Sequence, residues 1–175
     1  MNQKQFTYSI LALIFLLISF GCQSKSDRDY FDSAKNNINE SKYVEALNDF
    51  ESLVKEFPNS SLAEQTYFEI GKLYHGQVVK NLSKEESLQK AIENYKVVYT
   101  KFPESKSAAH SFFMVGFIQA NELNQFDSAE VTYRAFLEKY PDNEMAISAQ
   151  AELDNLGLSP EEILKRKIAE SSSAK

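Results

Sequence analysis

Residues 91–103 read AIENYKVVYTKFP, with Ala91, Tyr95 and Pro103 spaced by 4 and then 8 positions. The same spacing recurs in residues 46–58, ALNDFESLVKEFP, on Ala46, Phe50 and Pro58, and in residues 129–141, AEVTYRAFLEKYP, on Ala129, Tyr133 and Pro141. Three copies define an internal repeat, and a repeat period fixes the architecture before any local preference does. An alanine and an aromatic residue one turn later share a helical face. Proline has no amide donor and disfavours helix at the residue before it, so Phe57-Pro58, Phe102-Pro103 and Tyr140-Pro141 predict three helix ends.

Upstream of the second and third copies, Tyr67 and Phe112 each stand four residues before a glycine, Gly71 and Gly116, and Tyr30 and Ala34 take the corresponding places in the first. Each copy therefore reads as two helices. Antiparallel helices approach closely only where side chains are small, so Ala34, Gly71 and Gly116 are expected to face Ala46, Ala91 and Ala129. Phe50, Tyr95 and Tyr133 then fill the space beside them. Polar residues past the proline, as in Asn59-Ser60-Ser61, are expected to cap the next helix.

Composition agrees with an all-α chain. Of 175 residues only 5 are Gly and 4 Pro, and no Asn-Gly or Asp-Gly pair supplies a hairpin turn. The net charge of -6, with 19 basic residues interspersed among 25 acidic ones, argues against nucleic acid and for a protein or peptide partner. Nucleophile elbows, phosphate loops and zinc-type spacings are absent, so neither an enzyme nor a cofactor is indicated. His75 and His110 have no Cys partner and no His-x3-His spacing, which argues against a metal.

At the amino terminus Lys4 precedes an unbroken apolar run from Ile10 to Phe20, about half the roughly 20 residues that span a bilayer. Residues 1–21 read as a signal peptide. The run ends at Gly21-Cys22, and Cys22, the single cysteine, stands where a bacterial lipobox would place it. That resemblance implies a lipidated Cys22, with residues 22–28 as a lipidated terminus and flexible tether, and several acyl chains give stable membrane attachment. The alternative is a free thiol beside an uncleaved, membrane-embedded terminus. Gln23 after the cysteine resembles lipoproteins sent on to the outer membrane.

An aromatic residue, an aliphatic-Gly pair, Ala-x3-aromatic and a closing Pro, taken in that order, resemble the tetratricopeptide signature over approximately Tyr30 to Leu156. The resemblance implies a right-handed superhelix of helix-turn-helix repeats, about three plus a C-terminal capping helix, over residues 29–157. The proline spacings of 45 and 38 exceed the usual repeat of about 34. Pro to Gly is 13 in both measurable copies, which predicts a longer first helix. Gly71 to Ala91 is 20, which places an insertion around Gln77 to Glu86, and Gly116 to Ala129 is 13, against about 12 in the simple pattern.

Phe-Pro-x-Ser-x-x-Ala junctions resemble the envelope branch of this family, which includes BamD-type lipoproteins of outer-membrane protein assembly and YbgF-type periplasmic proteins linked to Tol-Pal. BamD-type proteins are lipidated just after the signal, as Cys22 would be, but typically carry five repeats. YbgF-type proteins have a similar repeat count, but place a coiled coil in front and are not lipidated. The resemblance implies a scaffold in one of three roles: an adaptor in barrel assembly, an accessory of wall or division enzymes, or a surface ligand-binding lipoprotein. The first is favoured.

Such arrays bind extended peptides or helices in a concave groove lined by the first helix of each pair. Phe31, Phe68 and Phe113 occupy one equivalent position, and four residues on stand Lys35, Lys72 and Phe117. An aromatic stripe edged by two lysines suits an apolar peptide with an acidic or carboxylate end. The alternative is that these phenylalanines fill the interior. In a helix over residues 142–155, Gln150 and Asp154 replace the aromatic and the glycine, so stacking should stop there. Residues 158–175 read as a short helix from Pro160 to about Ala169 and a fraying tail.

Overall fold

The computed structural model describes residues 25–173, so the expected signal peptide of residues 1–21 and the expected lipidation site Cys22 lie outside the described residues. Eight α-helices follow: α1 Asp27–Asn39, α2 Tyr43–Glu56, α3 Ala63–His75, α4 Lys84–Lys101, α5 Ala108–Phe117, α6 Phe126–Lys139, α7 Ala146–Asp154 and α8 Pro160–Ser173. A π-helical turn, Ile118–Glu122, continues α5. From α1 to α7 the principal contacts join consecutive helices, the arrangement of a solenoid whose units touch only their neighbours.

The repeated residues do the same job in each copy. A Cβ on Gly71 would lie 2.8 Å from Cε1 of Tyr95, and one on Gly116 would lie 2.7 Å from Cε1 of Tyr133. Ala34, Ala46, Ala91 and Ala129 are fully buried between the same helix pairs. Outside this seam a second aromatic contact closes each pair: Tyr30 on Phe57 at 6.4 Å, Tyr67 on Phe102 at 6.5 Å and Phe112 on Tyr140 at 6.4 Å between ring centroids. The residue before each proline therefore packs as well as ending its helix.

Every junction between repeats is the same double turn. The carbonyls of Phe57, Phe102 and Tyr140 accept from the amides of Ser60, Ser105 and Asn143, whose carbonyls accept from Ala63, Ala108 and Ala146, where the next helix starts. The residues after the proline thus form this turn. α3 has 13 residues, the same as α1, and is not the lengthened helix that the spacing suggested. Nor do the polar residues there cap the helix itself. The Oγ of Ser60 accepts from the amide of Leu62 at 3.0 Å and donates to Asp27 at 2.5 Å, which ties the junction back to α1.

The two insertions take different forms. The eight residues from Gly76 to Ser83 form a loop whose Val78, Val79 and Leu82 pack against the core, and a Ser83–Glu86 capping box then opens α4. The single extra residue between Gly116 and Ala129 is absorbed by the π-helical turn, where the amide of Leu123 reaches the carbonyl of Ile118 at 3.0 Å.

At the amino end, Ser26 and Asp29 form a capping box and α1 begins at Asp27, so Asp27 and Arg28 are helical and the helix starts inside the expected tether. Asp49 on α2 accepts from Lys25 at 3.3 Å, Ser33 at 2.7 Å and Asn37 at 3.0 Å, pinning that helix down. At the other end α7 spans 9 residues, and Gln150 donates to Asp154 at 2.7 Å on its exposed surface. α8 runs beyond Ala169 to Ser173, with the hydroxyls of Ser171 and Ser172 donating to the carbonyl of Ile168. Arg166 links α8 to the end of α7 through the Asp154 carbonyl and Asn155.

Candidate partner-binding groove

The first helices α1, α3 and α5 carry the six residues that the repeat register singles out. Phe31, Phe68 and Phe113 each lean on the packing aromatic of their own pair: Phe31 on Phe50 at 5.6 Å, Phe68 on Tyr95 at 5.8 Å and Phe113 on Tyr133 at 5.8 Å. The contact is equivalent, but the exposure is not. Phe31 is buried, whereas Phe68, Phe113 and Phe117 are each partly accessible. The accessible aromatic row therefore belongs to the second and third repeats.

Lys35 and Lys72 meet at a third side chain that no repeat position marks. Glu69, on α3, is paired with Lys35 at 3.2 Å and with Lys72 at 2.8 Å, and only 10% of its side chain is exposed. Burial alone would raise the Glu69 carboxyl, but hydrogen bonds and charge from Lys72 and then Lys35 hold it below the usual carboxylate range. The ammonium of Lys72 also lies 5.8 Å from the Phe68 ring centroid, a cation–π contact. His110, from the next repeat, meets the same ring edge-on at 5.3 Å. Burial, and then the Lys72 charge, push the imidazole below its ordinary value, against an opposing pull from Glu144.

Tyr95, against which Phe68 packs, is buried. Burial, and then the carboxylates of Glu69 and Glu122, raise its phenol far above the usual range, so it stays protonated. Glu122, at the end of the π-helical turn, pairs with His75 on α3 and so ties the second repeat to the third. Among the described residues no group of three or more His, Cys, Asp or Glu is placed to hold a metal ion.

A depressed folded-state pKa contributes stability that is present above the unfolded value and lost as pH falls through the folded one. Glu69→Gln is accordingly expected to lower unfolding free energy by about 1 kcal/mol near neutral pH, with lysines half in solvent limiting the effect. Urea titrations from about pH 7 to about pH 3 should show the wild-type and variant curves converging at the acid end.

Paired helices closed at an alanine–glycine seam, joined by one repeated turn and carrying an aromatic row on the first helix of each pair, define a tetratricopeptide-type solenoid. The chain belongs to the YfiO family of outer membrane lipoproteins, whose family model matches residues 23–158. That span takes in everything from α1 to the turn between α7 and α8. A search of curated proteins finds no match to the chain. Among the described residues no helix is long and apolar enough to cross a membrane.

Proposed function

We propose that this outer membrane lipoprotein is a non-enzymatic adaptor of the BamD kind in outer-membrane protein assembly. Acyl chains on Cys22 anchor it, and it faces the periplasm. An extended apolar segment of a partner lies along Phe68, Phe113 and Phe117. The observation that carries the reading is the accessible aromatic row itself: large rings on a rigid, repeat-built surface, where burial by a partner yields the most per side chain. The family match supports the membrane and the lipoprotein class. An acidic group on the partner meets Lys72 first, because 52% of that side chain is exposed, and competes with Glu69 for it.

The test is a crosslinked pull-down from native membranes with the wild-type chain, a Phe68→Ala/Phe113→Ala variant and a Lys72→Glu variant. Truncating two accessible aromatics is expected to reduce recovery of barrel-assembly components at least tenfold, at about 1–2 kcal/mol per ring. The lysine reversal, which leaves the core untouched, should reduce it less. Recovery of Tol-Pal or wall enzymes instead transfers the function to the YbgF-type role.

A further inference from the structure

A cleft of about 510 Å³ lies at the carboxyl-terminal end of the array, apart from the phenylalanine row. One wall is the end of the π-helical turn, with Asn121, and Phe126 at the start of α6. The other is the end of α7, with Glu152 and Asn155, followed by Leu158 and Glu162. The chain makes room for it by turning through left-handed backbone on both sides, at Asn124 (φ 53°) and Gly157 (φ 76°). Phe126, at 40% exposed, leaves much of its ring uncovered.

Its chemistry is one-sided. Among the described residues, the ionisable side chains that line the cleft are the carboxylates Glu152 and Glu162. Glu162 is partly committed to the Ser159 amide at 2.8 Å, and Glu152 accepts one bond from Asn121 at 3.0 Å. Two helical segments finish here, at Glu122 and Asp154, and the carbonyl end of a helix favours a cation. The rim already holds one guanidinium: Arg166 donates to the Asp154 carbonyl at 2.7 Å and to Asn155 at 3.0 Å. Phe126 and Leu158 add an apolar wall for an aliphatic stem, and an aromatic face attracts a planar cation.

We propose that this cleft is a second binding site, which takes an arginine side chain of a partner polypeptide. The stem lies against Phe126 and Leu158, and the guanidinium donates to Glu152, whose carboxylate has one bond from Asn121 and room for more. The site is independent of the groove and stands whether or not the groove binds a partner.

Amide chemical shifts of the full chain in detergent micelles test it, with N-acetylarginine methylamide as the probe at up to about 0.1 M, enough to populate a site with a dissociation constant of that order. Shifts are expected at Asn121, Glu152, Asn155 and Gly157, smaller with the lysine analogue and absent with the norleucine analogue. Glu152→Gln should weaken the arginine response about fivefold through loss of a charge-assisted bond. Equal shifts with norleucine or lysine, an unchanged response in Glu152→Gln, or no response at the highest concentration would each overturn the assignment.

Discussion

Phe136→Ala is expected to remove about 3–5 kcal/mol of unfolding free energy, the cost of deleting a fully enclosed ring. Phe136 is completely buried on α6, and its ring meets Phe112 at 6.0 Å, Phe113 at 6.1 Å and Tyr140 at 5.6 Å. Those partners come from α5 and from the end of α6, so the cavity opens inside the third helix pair, in a core that Ala149 of α7 also joins. The residues seven past the repeat alanines, Leu53, Val98 and Phe136, are all fully buried. Truncation at each should rank by size, with Val98→Ala the mildest. Because a solenoid couples only neighbours, hydrogen exchange in Phe136→Ala should rise in α6 and α7 well before α1 and α2. Uniform loosening of the whole chain would contradict that reading.

Gly116→Leu is expected to cost about 3 kcal/mol or more, although leucine is much the better helix former. The first added carbon alone would stand 2.7 Å from the Tyr133 ring, and that ring is fully buried with Phe113 against it, so it has nowhere to swing. The helices must part, and separation at one seam is felt by Ala129 on the facing helix. Gly71→Leu meets Tyr95 in the same way at 2.8 Å. In the first copy alanine already occupies the site, and Ala34→Gly should cost only about 1 kcal/mol through helix propensity. Thermal melts of the three variants distinguish a steric seam from a propensity effect. A stabilised Gly116→Leu would show that the helices are not held in close approach at this seam.

The seam and the junctions were legible because each rests on a residue type with one dominant use: small residues where helices touch, proline where a helix stops. The intra-repeat turns were not. Ser41, Gln77 and Asn124 take the left-handed conformation there with φ of 58°, 53° and 53°, and of these only asparagine is a residue that favours it. The π-helical turn did leave a trace, the one extra residue between Gly116 and Ala129, but a count cannot say whether a residue enters a loop or a helix. The start of α1 was also readable, since Ser26 and Asp29 stand at capping-box spacing, but the polar run from Gln23 reads equally as a tether.

The groove shows a similar division. Register alone grouped Phe31, Phe68 and Phe113, and their contacts with Phe50, Tyr95 and Tyr133 are equivalent. Their unequal exposure depends on what the neighbouring repeats cover, which periodicity does not encode. Glu69 carries no signal of its own, because a glutamate on a helix reads as a solvated face; its role appears only when Lys35 from the preceding repeat arrives on its other side. Pairings of that kind are long-range, and a spacing rule within one helix finds only the Lys72 half.

Under the proposed function, Phe68 and Phe113 present a partner-binding surface to the assembly machinery of the outer membrane. Native-membrane crosslinking followed by identification of the captured proteins, with the Phe68→Ala/Phe113→Ala variant shown by circular dichroism to remain helical, tests it most directly. Barrel-assembly components are expected with the wild-type chain and are expected to be lost from the folded variant. Equal capture by both would contradict it and return the two phenylalanines to a packing role.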